Sequence, residues 1–198
     1  MSAGFVRVFV AVDIGDEVRG ALALEIKALK KRHPKVKWVA ADCIHLTLAF
    51  LGEIPEGRLP EINGALDEVA ALLNGFDCEV KGVGWFGSAR SPRVVWAGMR
   101  EDPGLMVLQA GVAESLRQLG FVPEDRAFHP HLTLGRVKSA GDGEGLASVL
   151  SGRRDVVFGA TKVDRVLVMR SQLRPQGPEY SVLHEAALRP RQGVALQS

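Results

Sequence analysis

The chain has 198 residues, of which 46% are hydrophobic and 24% charged. That composition excludes an intrinsically disordered chain and predicts a globular protein able to bury its own core. The net charge of +2 is too small to predict binding to duplex DNA or to an anionic membrane, although it is compatible with a local phosphate site.

The cysteines and the N-terminal segment indicate the compartment. Cys43 and Cys78 do not form a CxxC pair, so we expect two reduced thiols in an intracellular protein. The apolar stretch 8–14 is too short to span a membrane, and acidic residues follow it instead of a cleavage site. We therefore predict a cytoplasmic protein with no membrane partner.

The first half of the chain predicts strands separated by two amphipathic helices. A Val-rich segment that ends at Asp13 and Gly15 is typical of a buried strand. Apolar residues then recur at helical spacing until Pro34, and Asn74-Gly75 is a usual end signal for the second helix. The predicted elements are strands 6–14, 44–51, 76–86 and 93–99, and helices 16–32 and 58–73.

The second half predicts the same kinds of element. Asp102 and Pro103 favour a helix start, and Gly120 favours its end near Leu119. A glycine-rich stretch, 141–145, precedes a short helix that ends near Leu150. We predict strands 131–137, 156–162, 164–170 and 180–188, followed by a frayed tail over 190–198.

The tetrapeptide His-Leu-Thr-Leu occurs twice, at 45–48 and at 131–134, with an offset of 86 residues. Arg7-Val8 matches Arg93-Val94 at the same offset, and Ala11 matches Ala97. This internal duplication predicts one domain over 1–198 that contains two pseudo-equivalent lobes. If the lobes face each other across a two-fold axis, the two motif strands line one cleft from both sides.

The alternation of a strand separates each motif into two faces. His45 and Thr47 point one way and the leucines the other, and His131 and Thr133 repeat this pattern. Two imidazoles and two hydroxyls suit acid–base chemistry on a phosphate, because histidine titrates near neutrality and hydroxyls can donate to phosphate oxygens. They are a poor set for zinc, so a histidine metal site is the weaker alternative.

Two further residues have alternative interpretations. Arg136 lies five residues after His131, which in a regular strand would place it on the core face unless Gly135 forms a bulge that turns it into the cleft. Otherwise the strand ends at Leu134 and Arg136 is a surface residue. Phe50 is either a core aromatic, as the pattern favours, or a platform on which a base stacks.

The paired motifs resemble those of the two-histidine (2H) phosphoesterases. The branch that the chain resembles most is the RNA 2′,3′-cyclic phosphodiesterases, also called LigT-like proteins or 2′-5′ RNA ligases. The resemblance extends over nearly the whole chain, through residues 7–12, 45–53, 92–98, 129–136 and 177–180.

The resemblance implies an α+β fold, with two pseudo-symmetric lobes of antiparallel sheet and outer helices around a central cleft. It also implies metal-independent and cofactor-independent hydrolysis of RNA 2′,3′-cyclic phosphate ends to 2′-phosphates. Some members join tRNA halves through a 2′-5′ bond. By motif position, His45 corresponds to the proton donor for the leaving O3′ and His131 to the base that deprotonates water. The phosphate- and base-binding positions are Thr47, Thr133, Arg136 and Phe50.

The near-symmetry of the motifs means that the assignment of acid and base rests on the resemblance. We expect a monomer that acts on RNA with a cyclic phosphate end, tRNA halves included. Two alternatives stay open: an RNA-end-binding module without catalysis, and a 2H phosphodiesterase for 2′-5′ oligonucleotides or small cyclic nucleotides.

Overall fold

A computed structural model of the chain describes residues 4–122, 127–175 and 177–191. The predicted frayed tail therefore lies outside the described residues from 192 onward. Strands and helices alternate in the order β1 (Phe5–Val12), α1 (Asp16–Arg32), β2 (Lys37–Trp38), β3 (Leu46–Pro55), α2 (Leu59–Ala70), β4 (Phe76–Ser88), β5 (Ser91–Met99), α3 (Pro103–Gln118), β6 (His131–Arg136), α4 (Leu146–Ser151), β7 (Val157–Val163), β8 (Arg165–Arg174) and β9 (Gly177–Ala187).

Local signals explain why the predicted helices form where they do. The Asp102 side chain accepts a hydrogen bond from the Gly104 amide at 2.8 Å, which caps the start of α3. Gly120 has a φ of +82°, the left-handed conformation that commonly follows the end of a helix. Helix α2 ends three residues earlier than predicted, because the chain tightens into a turn in which the Leu73 amide donates to the Ala70 carbonyl.

All principal strands join one sheet in the order β7-β4-β5-β6-β3-β1-β8-β9, with β2 paired to β6 as well. Each of these neighbouring strand pairs is antiparallel. The predicted α+β class with antiparallel strands is therefore confirmed. Of the helices in the described ranges, none is both long and apolar enough to cross a membrane.

We propose that the chain is one bilobal unit, formed from β3-β1-β8-β9 on one side and β6-β5-β4-β7 on the other. The lobes meet where β3 pairs with β6, at Leu46 and Leu132, which are the equivalent leucines of the two motifs. Strand β4 follows the first motif in sequence but pairs with β5, next to the second. Strand β8 follows the second motif but pairs with β1, so the two halves exchange strands.

The offset of 86 residues fits the motif strands but not the strands beside them. Leu46 pairs with Val12 and Leu132 pairs with Ala97, which are 85 residues apart. The sequence match of Ala11 with Ala97 is therefore displaced by one position. Ala11 pairs with Thr47 and Trp96 pairs with Thr133, so Trp96 is the structural equivalent of Ala11.

The motif leucines anchor the core, as the strand alternation predicts. Leu46, Leu48, Leu132 and Leu134 are all buried, and they belong to the same apolar cluster as Leu22 of α1. Full burial of one leucine contributes roughly 1.5–3 kcal/mol to stability. This packing fixes the two motif strands against the helices and leaves their opposite, half-buried face for the site.

Candidate active site

A cleft with a volume of about 760 Å³ lies over the junction of β3 and β6. Its walls combine the cleft faces of both motif strands with loops from each half of the chain. It is lined by every site residue that the sequence analysis selected, namely His45, Thr47, Phe50, His131, Thr133 and Arg136.

The pairing of β3 with β6 explains why these side chains meet. Leu46 opposes Leu132 in an antiparallel register. The histidine and threonine of each motif flank this pair of leucines, and all four side chains line the cleft. Side chains alternate along a strand, so the buried leucines leave the imidazoles and hydroxyls of both motifs on the opposite face, towards the cleft.

Backbone carbonyls orient both imidazoles in the same way. The Nδ1 atom of His45 lies 2.9 Å from the Cys43 carbonyl oxygen, and the Nδ1 atom of His131 lies 2.7 Å from the His129 carbonyl oxygen. A carbonyl can only accept, so Nδ1 carries the proton in each ring. Each Nε2 is therefore left to accept a proton from the cleft, or to donate one when the ring is charged.

Different aromatic neighbours surround the two rings. His45 stacks on Phe9 at 4.7 Å and meets the edge of Tyr180 at 5.2 Å, whereas His131 packs edge-on against Phe86 at 4.8 Å. Burial lowers the pKa of His45 from its usual 6.5, and the hydrogen bond to the Cys43 carbonyl opposes part of that change. A lowered pKa makes the protonated form of His45 a stronger acid.

Arg19 of α1 holds the turn that orients His45. Its guanidinium donates to the Ala41 carbonyl at 2.9 Å and to the Ile44 carbonyl at 3.3 Å, and it pairs with Asp13 at 2.5 Å. The side chain is only 16% exposed. The turn supplies the Cys43 carbonyl, so the first helix determines the position of the imidazole without contacting it.

A β-bulge brings Arg136 to the cleft. Val95 pairs with Gly135 and Trp96 with Thr133, so β6 has one extra residue, Leu134, at this point. The exposed side chain of Arg136 consequently lines the cleft. Its positive charge lies near enough to Tyr180 to oppose the rise that burial causes in the pKa of that hydroxyl.

The fold requires glycine at position 135 for a different physical reason from the bulge that the sequence suggested. Its φ lies outside the left-handed region. A Cβ on Gly135 would approach Cε3 of Trp38 to 2.9 Å and Cγ1 of Val36 to 3.0 Å. The residue is small because β2 packs directly over it, while the bulge itself is at Leu134.

Phe50 is not a core residue, although its sequence pattern favoured that interpretation. It is 53% exposed and pairs across the strands with Phe9, whose ring faces His45. The pairing of β1 with β3 skips Leu48, between Thr47 and Ala49, and this register shift changes the side-chain alternation before Phe50 and places it on the cleft side. An exposed phenyl ring at the edge of a cleft is available to stack on a base.

The cleft also contains residues that the motif analysis did not select: Lys37, Trp38, Phe86 and Tyr180. Phe86 and Tyr180 come from distant strands, and their contacts with the imidazoles leave no local signal in the sequence. The thiol of Cys43 lines the cleft as well, and burial raises its pKa, which favours the neutral thiol over a nucleophilic thiolate. Within the described part of the chain, no three His, Cys, Asp or Glu residues cluster as ligands for a metal ion.

Comparison with known proteins identifies the family. The sequence profile of "LigT like Phosphoesterase" matches residues 12–96 and 99–180, and each segment contains one His-Leu-Thr-Leu motif. The RNA 2′,3′-cyclic phosphodiesterase of Archaeoglobus fulgidus is 38% identical over 89% of this chain and 97% of its own length. The enzyme of the same name from Thermotoga maritima is 37% identical over 90% of this chain and 94% of its own length.

Solved structures share the fold as well as the sequence pattern. The TT0787 protein of Thermus thermophilus superposes with a TM-score of 0.78 at 32% identity, over 94% of this chain and all of that protein. Escherichia coli LigT complexed with 3′-AMP gives a TM-score of 0.69 at 30% identity, over 93% of this chain and 99% of that one. Because the family profile and these relatives match most of the chain, this chain belongs to the LigT-like phosphoesterase family.

Proposed function

We propose that the protein hydrolyses RNA 2′,3′-cyclic phosphate ends to 2′-phosphates. The observation that carries the proposal is the pair of imidazoles that carbonyls hold alike in one cleft, with no hydrogen-bond partner for either Nε2 atom among the described residues. The names of relatives that are 32–38% identical over most of the chain support the same reaction. A LigT structure with bound 3′-AMP supports a cleft that accepts a ribonucleotide.

The reaction is a displacement at phosphorus that requires two proton transfers. His131 Nε2 takes a proton from water as the water oxygen bonds to phosphorus. The bond from phosphorus to O3′ breaks, and protonated His45 gives its Nε2 proton to O3′. The products are a 3′-hydroxyl and a 2′-phosphate, and the two rings end with their protonation states exchanged.

The remaining cleft residues bind the substrate. Thr47 and Thr133 line the same cleft as the imidazoles, and their hydroxyls can donate to the non-bridging oxygens. The guanidinium of Arg136 neutralises the phosphate and the charge that develops on it during displacement. A bound phosphate anion also favours the protonated form of His45, which opposes the effect of burial on its pKa. Phe50 stacks on the terminal base.

The test is hydrolysis of a dinucleotide that ends in a 2′,3′-cyclic phosphate, with the product identified by phosphorus NMR. Each proton transfer contributes roughly 10²–10⁴-fold, so His45→Ala and His131→Ala should each reduce kcat by that factor while binding persists. His184→Ala is the matched control, because His184 pairs with Asp67 away from the cleft. Unchanged rates in both cleft variants would refute the mechanism.

The same assay separates the alternatives. A module that only binds RNA ends would bind the dinucleotide without turnover, and an enzyme for 2′-5′ linkages would prefer a 2′-5′ dinucleotide. Ligation uses the same geometry if a ribose 5′-hydroxyl replaces water as the nucleophile. The monomeric state, the cytoplasmic location and the use of tRNA halves stay predictions.

A further inference from the structure

The two-residue strand β2 places a second cation beside Arg136. Lys37 pairs directly with Arg136 in an antiparallel register, so the two side chains share one face of the sheet. Both line the cleft. Within the described residues, neither has a carboxylate within ion-pair distance.

Like charges directly opposite each other destabilise a strand pair. This pair is nevertheless built into a fixed backbone. The Trp38 indole donates to the His33 carbonyl at 3.0 Å, and the Val39 amide donates to the Leu134 carbonyl at 2.8 Å. Trp38 pairs with Gly135, and the lack of a side chain at Gly135 leaves room for the indole. The position of Lys37 is therefore set by packing, and its repulsion with Arg136 is relieved when anions occupy the cleft.

An RNA end supplies two neighbouring anions: the cyclic phosphate and the phosphodiester that joins the terminal nucleotide to the preceding one. Directly opposed strand residues have Cβ atoms about 5 Å apart, so two long cationic side chains can reach successive phosphates. We propose that Lys37 binds the phosphodiester one step upstream of the reacting phosphate, which is held by Arg136. This rests on the proposed function, and it makes the preferred substrate an RNA strand instead of a cyclic mononucleotide.

If Lys37 binds this phosphodiester, kcat/KM should depend on substrate length, and Lys37 should be the cause of that dependence. The substrates are a 2′,3′-cyclic mononucleotide and a trinucleotide that ends in the same cyclic nucleotide. Lys37→Gln should reduce kcat/KM for the trinucleotide by roughly two- to five-fold at low salt, as expected for one exposed ionic contact, and leave the mononucleotide unchanged. The slope of log affinity against log salt for the trinucleotide should fall by about 0.7, the value for one phosphate of a single strand.

Two variants control for charge and folding. Lys35→Gln removes the same charge from an exposed turn outside the cleft and should change neither substrate. Lys37→Arg keeps the cation and should retain the preference for the trinucleotide. Equal losses on both substrates, or no loss on either, would overturn the proposal.

Binding of the trinucleotide, followed by fluorescence anisotropy, separates this inference from the proposed function. If the wild type hydrolyses neither substrate, the proposed function fails. Lys37 can still be tested in that case, because its substitution must weaken trinucleotide binding more than mononucleotide binding. Equal affinities of the wild type and Lys37→Gln for the trinucleotide would refute the role of Lys37 whatever the turnover.

Discussion

The assignment of the acid and base roles to the two imidazoles can be tested by changing the leaving group. His45 is assigned as the acid for O3′ and His131 as the base for water, yet carbonyls hold both rings in the same way. A substrate in which sulfur replaces O3′ expels a thiolate, which is far less basic than an alkoxide and leaves without a proton. The need for the acid then disappears, while the need for the base remains.

The magnitude follows from the surroundings of each ring. Phe9 and Tyr180 contact His45, but a phenyl ring has no proton to give and burial raises the pKa of the Tyr180 hydroxyl, so neither replaces the imidazole as an acid. The change from His45 to alanine should cost about 10³-fold in kcat with the oxygen substrate, or about 4 kcal/mol of transition-state stabilisation. With the sulfur substrate the loss should fall below about 10-fold. His131→Ala should lose about 10³-fold with both.

The assay is a single-turnover measurement of both substrates with the wild type and the two variants. Single turnover separates the chemical step from product release. If His131→Ala is the variant that sulfur rescues, the roles are reversed. If sulfur rescues neither, then neither imidazole protonates the leaving group, and the reasoning from motif position is wrong.

Three further predictions concern the pKa of His45, the positioning of its ring and a buried ion pair of the fold. Because burial lowers the pKa of His45, the pH profile of kcat/KM should have one midpoint below 6.5, and Tyr180→Ala should move it to higher pH by admitting water; an unmoved midpoint would contradict this. Arg19→Met should lower kcat about 10-fold with little change in KM, because the turn that orients His45 loses two hydrogen bonds; steady-state kinetics that show a change in KM alone would refute a positioning role. Arg153→Met should destabilise the fold by about 2 kcal/mol at pH 7, since it leaves the buried Glu25 carboxylate without its 2.9 Å partner, a loss reduced here by the partial exposure of Arg153. Burial raises the pKa of Glu25 above 4.5, so the neutral acid stabilises the folded state at low pH, and this stabilisation is lost as the pH rises through the folded pKa. Urea unfolding should therefore show a much smaller destabilisation by Arg153→Met at pH 4 than at pH 7. Equal destabilisation at both pH values would contradict the assignment.

The sequence predicted the helices and the motif faces well because their causes are local. Helix α1 has the predicted bounds, and the cap at Asp102 and the glycine at 120 mark the ends of α3. The alternation of His, Leu, Thr and Leu determines which side chains are buried. These features depend on neighbouring residues and on burial, and a single sequence contains both.

The features that could not be predicted from the sequence depend on contacts between distant residues. Strand β2 has only two residues, too few to show any periodicity, yet it brings Lys37 to the cleft. The carbonyls of Cys43 and His129 orient the imidazoles through main-chain geometry, which side-chain identity does not encode. The one-residue displacement between β1 and β5 is equally invisible, because the offset of 86 matches identities without regard to register.

The central claim is that two imidazoles from opposite lobes act at one phosphorus. It is tested most directly by a crystal structure of the protein with its product, a ribonucleotide 2′-phosphate. The account predicts that His45 Nε2 lies within about 2.6–3.2 Å of the 3′-hydroxyl oxygen, and that His131 Nε2 is equally close to a phosphate oxygen on the other side of phosphorus. A phosphate that contacts one imidazole alone, or that binds outside the cleft, would contradict the account.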